Sequence, residues 1–183
     1  MDFNLIIIIA VVLIALFVWT TYNSLVTGKV RIKESLSGID VQLKRRIDLV
    51  PNLVSTVKGY AKHEKELLEN VTKARASLMH AKGTAEKAQS DNMLSQALKS
   101  LIAISEAYPD LKASKNFLAL QEELSDIEAK IAYARQFFNT NVASFNSILV
   151  NFPGNIVGNM FGFRQEEFFA ATESERKSVK VSF

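Results

Sequence analysis

Residues 40–64 read DVQLKRRIDLVPNLVSTVKGYAKHE, a stretch that joins two amphipathic helical patterns through a proline. In the first pattern, charged side chains recur at a four-residue spacing and share one helix face, while apolar side chains lie mostly opposite. Asp40, Lys44 and Asp48 have this spacing, and Arg45 and Arg46 lie beside them. Pro51 lacks an amide hydrogen, so it is expected to end or kink the helix, and one long kinked helix remains an alternative.

The chain opens with an apolar run. Residues 5–19 are uninterrupted by polar side chains, and their neighbours extend the run to roughly the 20 residues that cross a bilayer. Neither a basic leader nor a small-residue cleavage pattern accompanies it, which favours an uncleaved transmembrane anchor over residues 1–22 rather than a signal peptide. Trp19 and Tyr22 stand at the end of the run, where aromatic side chains prefer the membrane interface.

Flanking charge predicts the orientation of this anchor. Lys29, Arg31 and Lys33 follow the run, whereas the four residues before it contain only one acid and no base. The positive-inside rule then places the rest of the chain in the cytoplasm and the short N-terminus outside. A periplasmic or extracellular position is the alternative.

Apolar residues at spacings of three and four predict four helices in the remainder, at about residues 25–50, 51–81, 93–106 and 117–149. The polar residues 82–92 are expected to form a loop at a hairpin tip. Strand signals are absent. The predicted fold is all-α, with the transmembrane helix followed by an elongated antiparallel bundle of about four helices over residues 23–150.

The final segment, residues 151–183, is aromatic and contains glycine and proline. Its candidate close-packing or membrane-contact residues are Gly154, Gly158, Gly162, Phe161 and Phe163. Three glycines weaken a helix in water, which favours a flexible segment whose phenylalanines pack on the bundle. The alternative is an amphipathic piece that contacts the membrane interface or another subunit.

No constellation of catalytic residues is apparent. The chain has no cysteine, and its two histidines, His63 and His80, stand 17 positions apart without metal-ligand spacing. We therefore predict no catalytic site, no metal, no cofactor and no small-molecule substrate. The net charge of +3 is too small for a nucleic-acid partner to be expected.

The charged face around Arg45 and Arg46 has two interpretations. It could be a solvated face with weak i, i+4 pairs, or it could dock a partner helix or lipid phosphates, for which arginine is well suited. An acidic counterpart on the fourth helix comprises Glu122, Glu123, Asp126 and Glu128. These acids could pair with the basic face inside the bundle or between subunits, although a solvated face is the favoured interpretation.

The chain resembles the LemA family of bacterial membrane-anchored helical proteins. The segments that carry the resemblance are residues 40–64, 22–26 (YNSLV), 69–76 (ENVTKARA), 151–163 and 179–183. The resemblance implies a single-pass protein of the bacterial cytoplasmic (inner) membrane, and it favours the docking interpretation of the charged face.

The expected function is a non-catalytic membrane scaffold that forms homo-oligomers. Two alternatives are an accessory subunit of a membrane protease or envelope-stress system, which the resemblance suggests, and a module that binds membrane lipid. The expected partners are accordingly membrane lipid, further copies of the chain and, in one alternative, another membrane protein.

Overall fold

The computed structural model describes residues 3–169, of which most are helical and none lies in a strand. The all-α class predicted from the sequence is therefore confirmed. Six α-helices and one 3₁₀ helix follow in order: α1 Phe3–Tyr60, α2 Lys65–His80, α3 Gly83–Ala103, the 3₁₀ helix Ile104–Ala107, α4 Pro109–Lys112, α5 Lys115–Val150 and α6 Gly154–Met160.

The chain divides into two compact units. Among the described residues, the anchor unit comprises residues 3–37 together with residues 136–168, and the bundle unit comprises residues 38–135 together with Phe169. The predicted C-terminal segment is described only as far as Phe169, so its ending at residues 179–183 lies outside the described residues.

α1 runs through Pro51, so a single long helix is the alternative that the structure adopts. A proline at position 51 leaves the carbonyl of Ile47 without its usual helical donor four residues later. The side chain of Arg75, on α2, donates its Nε–H to this carbonyl at 2.9 Å. A residue of the neighbouring helix thus supplies the hydrogen bond that Pro51 cannot make.

The expected loop over residues 82–92 is wrong, because α3 begins at Gly83 and only Ala81 and Lys82 separate it from α2. The carboxylate of Glu86 accepts the backbone N–H of Lys82, which supports the start of the helix. Ala88, Ser90, Asp91 and Leu94 are buried at helical spacing. The loop prediction failed because residues 82–92 are mostly polar, although several of them are buried on one face of α3.

The helices of the bundle unit pack through apolar stripes. On α2 the buried residues are Leu68, Val71, Ala74 and Leu78. The hydroxyls of Ser77 on α2 and Ser90 on α3 lie 3.0 Å apart and add a hydrogen bond to this packing. The third helix was predicted to end near residue 106, and in the structure α3 gives way to the 3₁₀ helix before Pro109 begins the short α4.

α5 begins at Lys115 and ends at Val150, close to the extent that its apolar periodicity predicts. The residues that follow are helical in α6 rather than flexible, which corrects the favoured expectation for this segment. A Cβ atom added at Gly154 would collide with the carbonyl oxygen of Ile148, and one added at Gly158 would collide with the side chain of Leu149. Both glycines therefore allow α6 to lie close against the end of α5.

Gly162 has a different role, because its φ of 72° lies in the left-handed region. The N–H of Gly162 donates to the carbonyl of Asn159 at 3.2 Å, and the N–H of Phe163 donates to that of Gly158 at 2.9 Å. This pair of bonds is a Schellman motif, which ends a helix with glycine at the left-handed position. The three glycines thus define one short, closely packed helix and its end.

We expect Arg75→Ala to lower the free energy of unfolding by about 1.5–3 kcal/mol, because it leaves the carbonyl of Ile47 without a donor. A Pro51→Ala background restores the backbone N–H of residue 51. In that background Arg75→Ala should lower the free energy of unfolding by at least about 1 kcal/mol less than it does in the unmodified chain. Urea unfolding of the full chain in detergent micelles measures both losses. Equal losses in the two backgrounds would show that Arg75 does not compensate for the proline.

Candidate functional site

Arg46 does not belong to the exposed charged face in which the sequence placed it, because only 2% of its surface is exposed. Its Nη1 donates to Asp91 Oδ1 at 2.5 Å and to Ser95 Oγ at 2.8 Å, and its Nη2 donates to Glu128 Oε1 at 3.0 Å. Its spacing from Leu43 and Val50, three and four residues, was a signal that it shares their buried stripe.

Asp91 is the centre of this arrangement and is fully buried. Its second oxygen, Oδ2, accepts a hydrogen bond from Nη2 of Arg135, whose guanidinium lies 4.9 Å from the ring centroid of Phe169. We call Arg46, Asp91, Glu128 and Arg135 the ion cluster. It joins α1, α3 and α5 within the bundle unit, and its two positive and two negative charges balance. Neither Asp91 nor Arg135 was singled out from the sequence.

The charges of the ion cluster stabilise one another only as a set. Removing an ionised group from water costs several kcal/mol, and the attraction between partners offsets this cost when geometry and hydrogen bonding are good. Asp91 meets a guanidinium at each of its oxygens, so the loss of Asp91 would strand two buried arginines. The cluster therefore favours the one arrangement of these three helices that pairs every charge.

The remaining members of the predicted face differ in exposure. Asp40 is half-buried and accepts a hydrogen bond from Nζ of Lys87 on α3 at 2.6 Å. Lys44 and Asp48 are exposed and form an i, i+4 ion pair, which contributes a few tenths of a kcal/mol. Arg45 is exposed, and no ion pair to it is found within residues 3–169. The exposed part of this face comprises Lys44, Arg45 and Asp48, and we call its two basic residues, Lys44 and Arg45, the basic patch.

The acidic residues of α5 likewise separate into two groups. Glu128 pairs with Arg46 inside the same chain, and Asp126 pairs with Lys130 one turn along α5 at 2.6 Å. Glu122 and Glu123 are exposed, and no ion pair to either is found in the described part of the chain. We call these two residues the acidic patch.

The histidine-glutamate pair at positions 63 and 64 lies in the turn between α1 and α2. His63 is exposed, whereas Glu64 accepts a hydrogen bond from the hydroxyl of Tyr108 at 3.0 Å. This hydrogen bond, with burial and the charge of Glu64, raises the pKa of Tyr108 above its usual value. Glu64 thus links two connecting segments of the bundle unit. No group of three or more potential metal ligands occurs between Phe3 and Phe169.

In the anchor unit, a single asparagine holds the C-terminal segment. Asn146 on α5 donates from Nδ2 to the carbonyl of Glu166, and its Oδ1 accepts the N–H of Glu166, each at 2.9 Å. The carboxylate of Glu166 lies 3.6 Å from Nζ of Lys29 on α1. The only sign of these two hydrogen bonds in the sequence was that Asn146 is a polar residue within the apolar stripe of α5.

Aromatic rings complete the same packing. The ring of Tyr22 lies 4.7 Å from that of Phe161 and 6.0 Å from that of Phe163, and Phe163 also contacts Phe145 at 6.3 Å. Trp19 instead is 68% exposed. Tyr22, predicted as an interface anchor, therefore also fixes the segment after α6 against α1.

Apolar side chains remain exposed beside these rings. They are Val150, Phe152, Ile156, Met160 and Phe161, which we call the α6 strip. Phe152, Ile156 and Met160 follow one another at four-residue spacing. Ile156 and Met160 therefore lie on one face of α6, and that face is exposed.

The N-terminal part of α1 is the one stretch within residues 3–169 that is long and apolar enough to cross a membrane, and none of it is buried in the protein. A buried core helix would be covered by other elements, whereas this helix is bare. An all-α chain with one such helix has the build of a single-pass membrane protein.

Comparison with known proteins gives the family. The LemA family profile matches residues 35–183, and the chain belongs to the LemA family. Protein LemA of Metamycoplasma hominis is 30% identical over 163 residues, covering 87% of this chain and 74% of that protein. Magnetosome protein MamQ of Magnetospirillum gryphiswaldense is 25% identical, covering 81% of this chain and 64% of its own length. Magnetosome protein MamQ 2 of Paramagnetospirillum magneticum is 22% identical, and the match covers 88% of this chain and 70% of that protein.

Asp91→Asn preserves the shape of the side chain but removes the charge between the two arginines. We expect it to lower the free energy of unfolding of the full chain in micelles by about 3–5 kcal/mol, the cost of stranding buried charge. Asp48→Asn makes the same chemical change in an exposed ion pair and should stay within about 0.5 kcal/mol. A similar small loss for both variants would contradict a central role for the ion cluster.

Proposed function

We propose that this chain is a membrane-anchored, non-catalytic scaffold that self-associates through its bundle unit. The observation that carries the proposal is the division of charge in that unit. The buried ionisable groups pair with one another across α1, α3 and α5, while the basic patch and the acidic patch stay exposed. The buried charges serve the fold, and the exposed charges of opposite sign are available to another subunit.

Complementary patches on one chain favour contact between identical copies, because the basic patch of one copy can meet the acidic patch of the next. Arg45 can bind a carboxylate through two parallel hydrogen bonds, which fixes direction as well as distance. Membrane anchoring assists such contacts, since it confines all copies to one surface and raises their effective concentration.

The relatives agree with a role of this kind without defining it. The names Protein LemA and Magnetosome protein MamQ are not enzyme names. A scaffold needs stable helices and exposed contact surfaces, both of which the chain supplies. The positive-inside arrangement of Lys29, Arg31 and Lys33 favours a cytoplasmic bundle unit.

The α6 strip supports a second candidate function, which is binding to membrane lipid. Its residue Phe161 contacts Tyr22, three positions after the end of the apolar run. Phe161 therefore lies near the end of the apolar run, where the bilayer interface would cover its exposed ring. Lipid contact and self-association use different residues and can operate together.

Arg45→Glu reverses the charge of the basic patch without touching the ion cluster. We expect this substitution to reduce the oligomer fraction of the full chain severalfold, because the acidic patch of a second copy would repel the new glutamate. Analytical ultracentrifugation in detergent measures the oligomer fraction. Adding Glu122→Lys and Glu123→Lys should restore the oligomer, because the acidic side chain at position 45 would then face basic side chains on the second copy. Lys73→Glu, an exposed charge reversal on α2, is the matched control and should leave the distribution unchanged.

An unchanged oligomer profile in Arg45→Glu would contradict the proposed contact. A stoichiometric foreign subunit that is lost from the same variant would instead support the accessory-subunit alternative. Arg46 is not used in this experiment, because a glutamate there would face Asp91 and Glu128 in the bundle unit and disrupt folding.

Orientation is tested with single cysteines, which the absence of natural cysteine makes simple. Lys82→Cys lies in the exposed connection between α2 and α3, and Asn4→Cys lies before the apolar run. With a cytoplasmic bundle unit, a membrane-impermeant maleimide should label Asn4→Cys in intact cells and Lys82→Cys only after lysis. Labelling of Lys82→Cys in intact cells would place the bundle unit outside.

A further inference from the structure

A groove runs between α1 and α2 in the bundle unit, next to the connection that joins these helices. Its volume is about 530 Å³, which is within the range of ligand-binding clefts. One wall comes from residues 54–62 and the other from residues 65–73. The hydrogen bond from Arg75 to the carbonyl of Ile47 shows that α2 turns back along α1 after residues 61–64. Both walls therefore belong to one helical hairpin, and no function discussed above uses the groove between them.

Lysine side chains line both walls of this groove, which we call the lysine groove. They are Lys58 and Lys62 on one wall and Lys65 and Lys73 on the other, and all four are exposed. Glu69 is the one acid in the lining, and its Oε1 lies 3.9 Å from Nζ of Lys65. No ion pair to the other three lysines is found within residues 3–169. The lysine groove thus has an excess of positive charge.

This excess contrasts with the charge pairing elsewhere in the bundle unit. Four lysines outside the groove form ion pairs with acids of the same unit, and they are Lys44, Lys87, Lys112 and Lys130. The lysine groove instead brings three unpaired ammonium groups to one cleft. Like charges that lie close together repel, so an anionic occupant would relieve a repulsion that the chain itself leaves in place.

The lysine groove also has an apolar strip. Val54 on α1 is half-buried, and Leu68 on α2 retains 9% exposure. Each lies two helical turns from the contact between Ile47 and Arg75, measured toward the connection, so the two side chains are at about the same level. The methylene stems of the lysines add apolar surface while their ammonium groups stay in water. An occupant of the groove therefore meets apolar surface flanked by positive charge.

The lining discriminates among anionic ligands. It includes no arginine, whose planar fork suits phosphate, and no aromatic ring on which a nucleobase could stack. A chain of inorganic phosphate has no apolar group for the strip. A polypeptide can supply carboxylates and apolar side chains together. Lys65 and Lys73 stand about 12 Å apart along α2, which corresponds to roughly four residues of extended peptide.

We propose that the lysine groove binds an acidic segment of a partner protein, in which acidic side chains alternate with apolar ones. Lys58, Lys62 and Lys73 bind the carboxylates, and Val54 and Leu68 contact the apolar side chains. The proposal goes beyond self-association and is independent of it, because neither the basic patch nor the acidic patch lines this groove. Polyphosphate and nucleic acid are the rival polyanions.

Fluorescence anisotropy tests the proposal with the full chain in micelles of an uncharged detergent. The probe is a short labelled peptide that alternates glutamate and leucine, and empty micelles correct for its partition into detergent. We expect this peptide to bind at least tenfold more tightly than one with glutamine in place of glutamate, because several weak lysine–carboxylate contacts act together. Serine in place of leucine should weaken binding severalfold, since the apolar contact is lost.

A groove variant combines Lys58→Gln, Lys62→Gln and Lys73→Gln. We expect it to bind the glutamate–leucine peptide at least tenfold more weakly than the unmodified chain does, because its carboxylates lose three positive partners. All three side chains are exposed, so the variant should remain folded, which circular dichroism checks.

A matched control variant removes the same number of charges from exposed lysines of the bundle unit that lie outside the groove. It combines Lys82→Gln, Lys99→Gln and Lys115→Gln. Its affinity for the peptide should change less than twofold. Equal losses in the groove variant and the control variant would overturn the proposal, because they would show diffuse attraction rather than a site.

The choice of ligand is tested by the other comparisons. Equal binding of the glutamate and glutamine peptides would overturn the proposal, and so would equal binding of the leucine and serine peptides. Tripolyphosphate or a short oligothymidine that displaces the peptide at a lower concentration of charge than unlabelled peptide does would identify a different polyanion and overturn it as well. The oligomer fraction of the groove variant should match that of the unmodified chain, so failure here is distinguishable from failure of the scaffold proposal.

Discussion

The pairing of Asp91 with Arg46 and Arg135 is the interaction on which the bundle unit depends most. A fully buried carboxylate cannot remain ionised without partners, and here each of its oxygens meets a guanidinium from a different helix. Apolar stripes alone would allow neighbouring helices to slide by one turn at little cost. Because a shifted register would leave these charges unpaired, the ion cluster restricts α1, α3 and α5 to one arrangement.

The hydrogen bond that α1 loses at Pro51 is also replaced by a side chain of another helix. A proline within a helix removes a hydrogen bond and would ordinarily end the helix. Here the donor comes from Arg75 on α2, so the continuity of α1 depends on its contact with another helix. Arg46, Pro51 and Arg75 fall in segments that carry the resemblance to the LemA family, residues 40–64 and 69–76. Arg46 and Arg75 therefore have structural roles within the chain, whereas Lys44 and Arg45 are exposed.

The anchor unit is organised differently, by close backbone approach and aromatic contact. Gly154 and Gly158 bring α6 against α5, Asn146 holds the backbone at Glu166, and Tyr22 meets Phe161. This packing leaves the α6 strip exposed. We propose that the anchor unit contacts lipid through this strip, while the bundle unit presents charges to other subunits.

The sequence by itself determined the class of the fold, the membrane-spanning run, the extent of α5 and the family, because these follow from local periodicity, hydrophobicity and residue order. It did not determine the ion cluster, since Asp91 stands in a polar stretch that resembles a loop and Arg46 stands beside an equally charged but exposed Arg45. Which of two adjacent arginines is buried depends on partners 45 and 82 positions away. The continuity of α1 through Pro51 was equally undetermined, because its missing hydrogen bond is supplied across space by Arg75. Tertiary structure decided these features because only folding brings such distant donors and acceptors together.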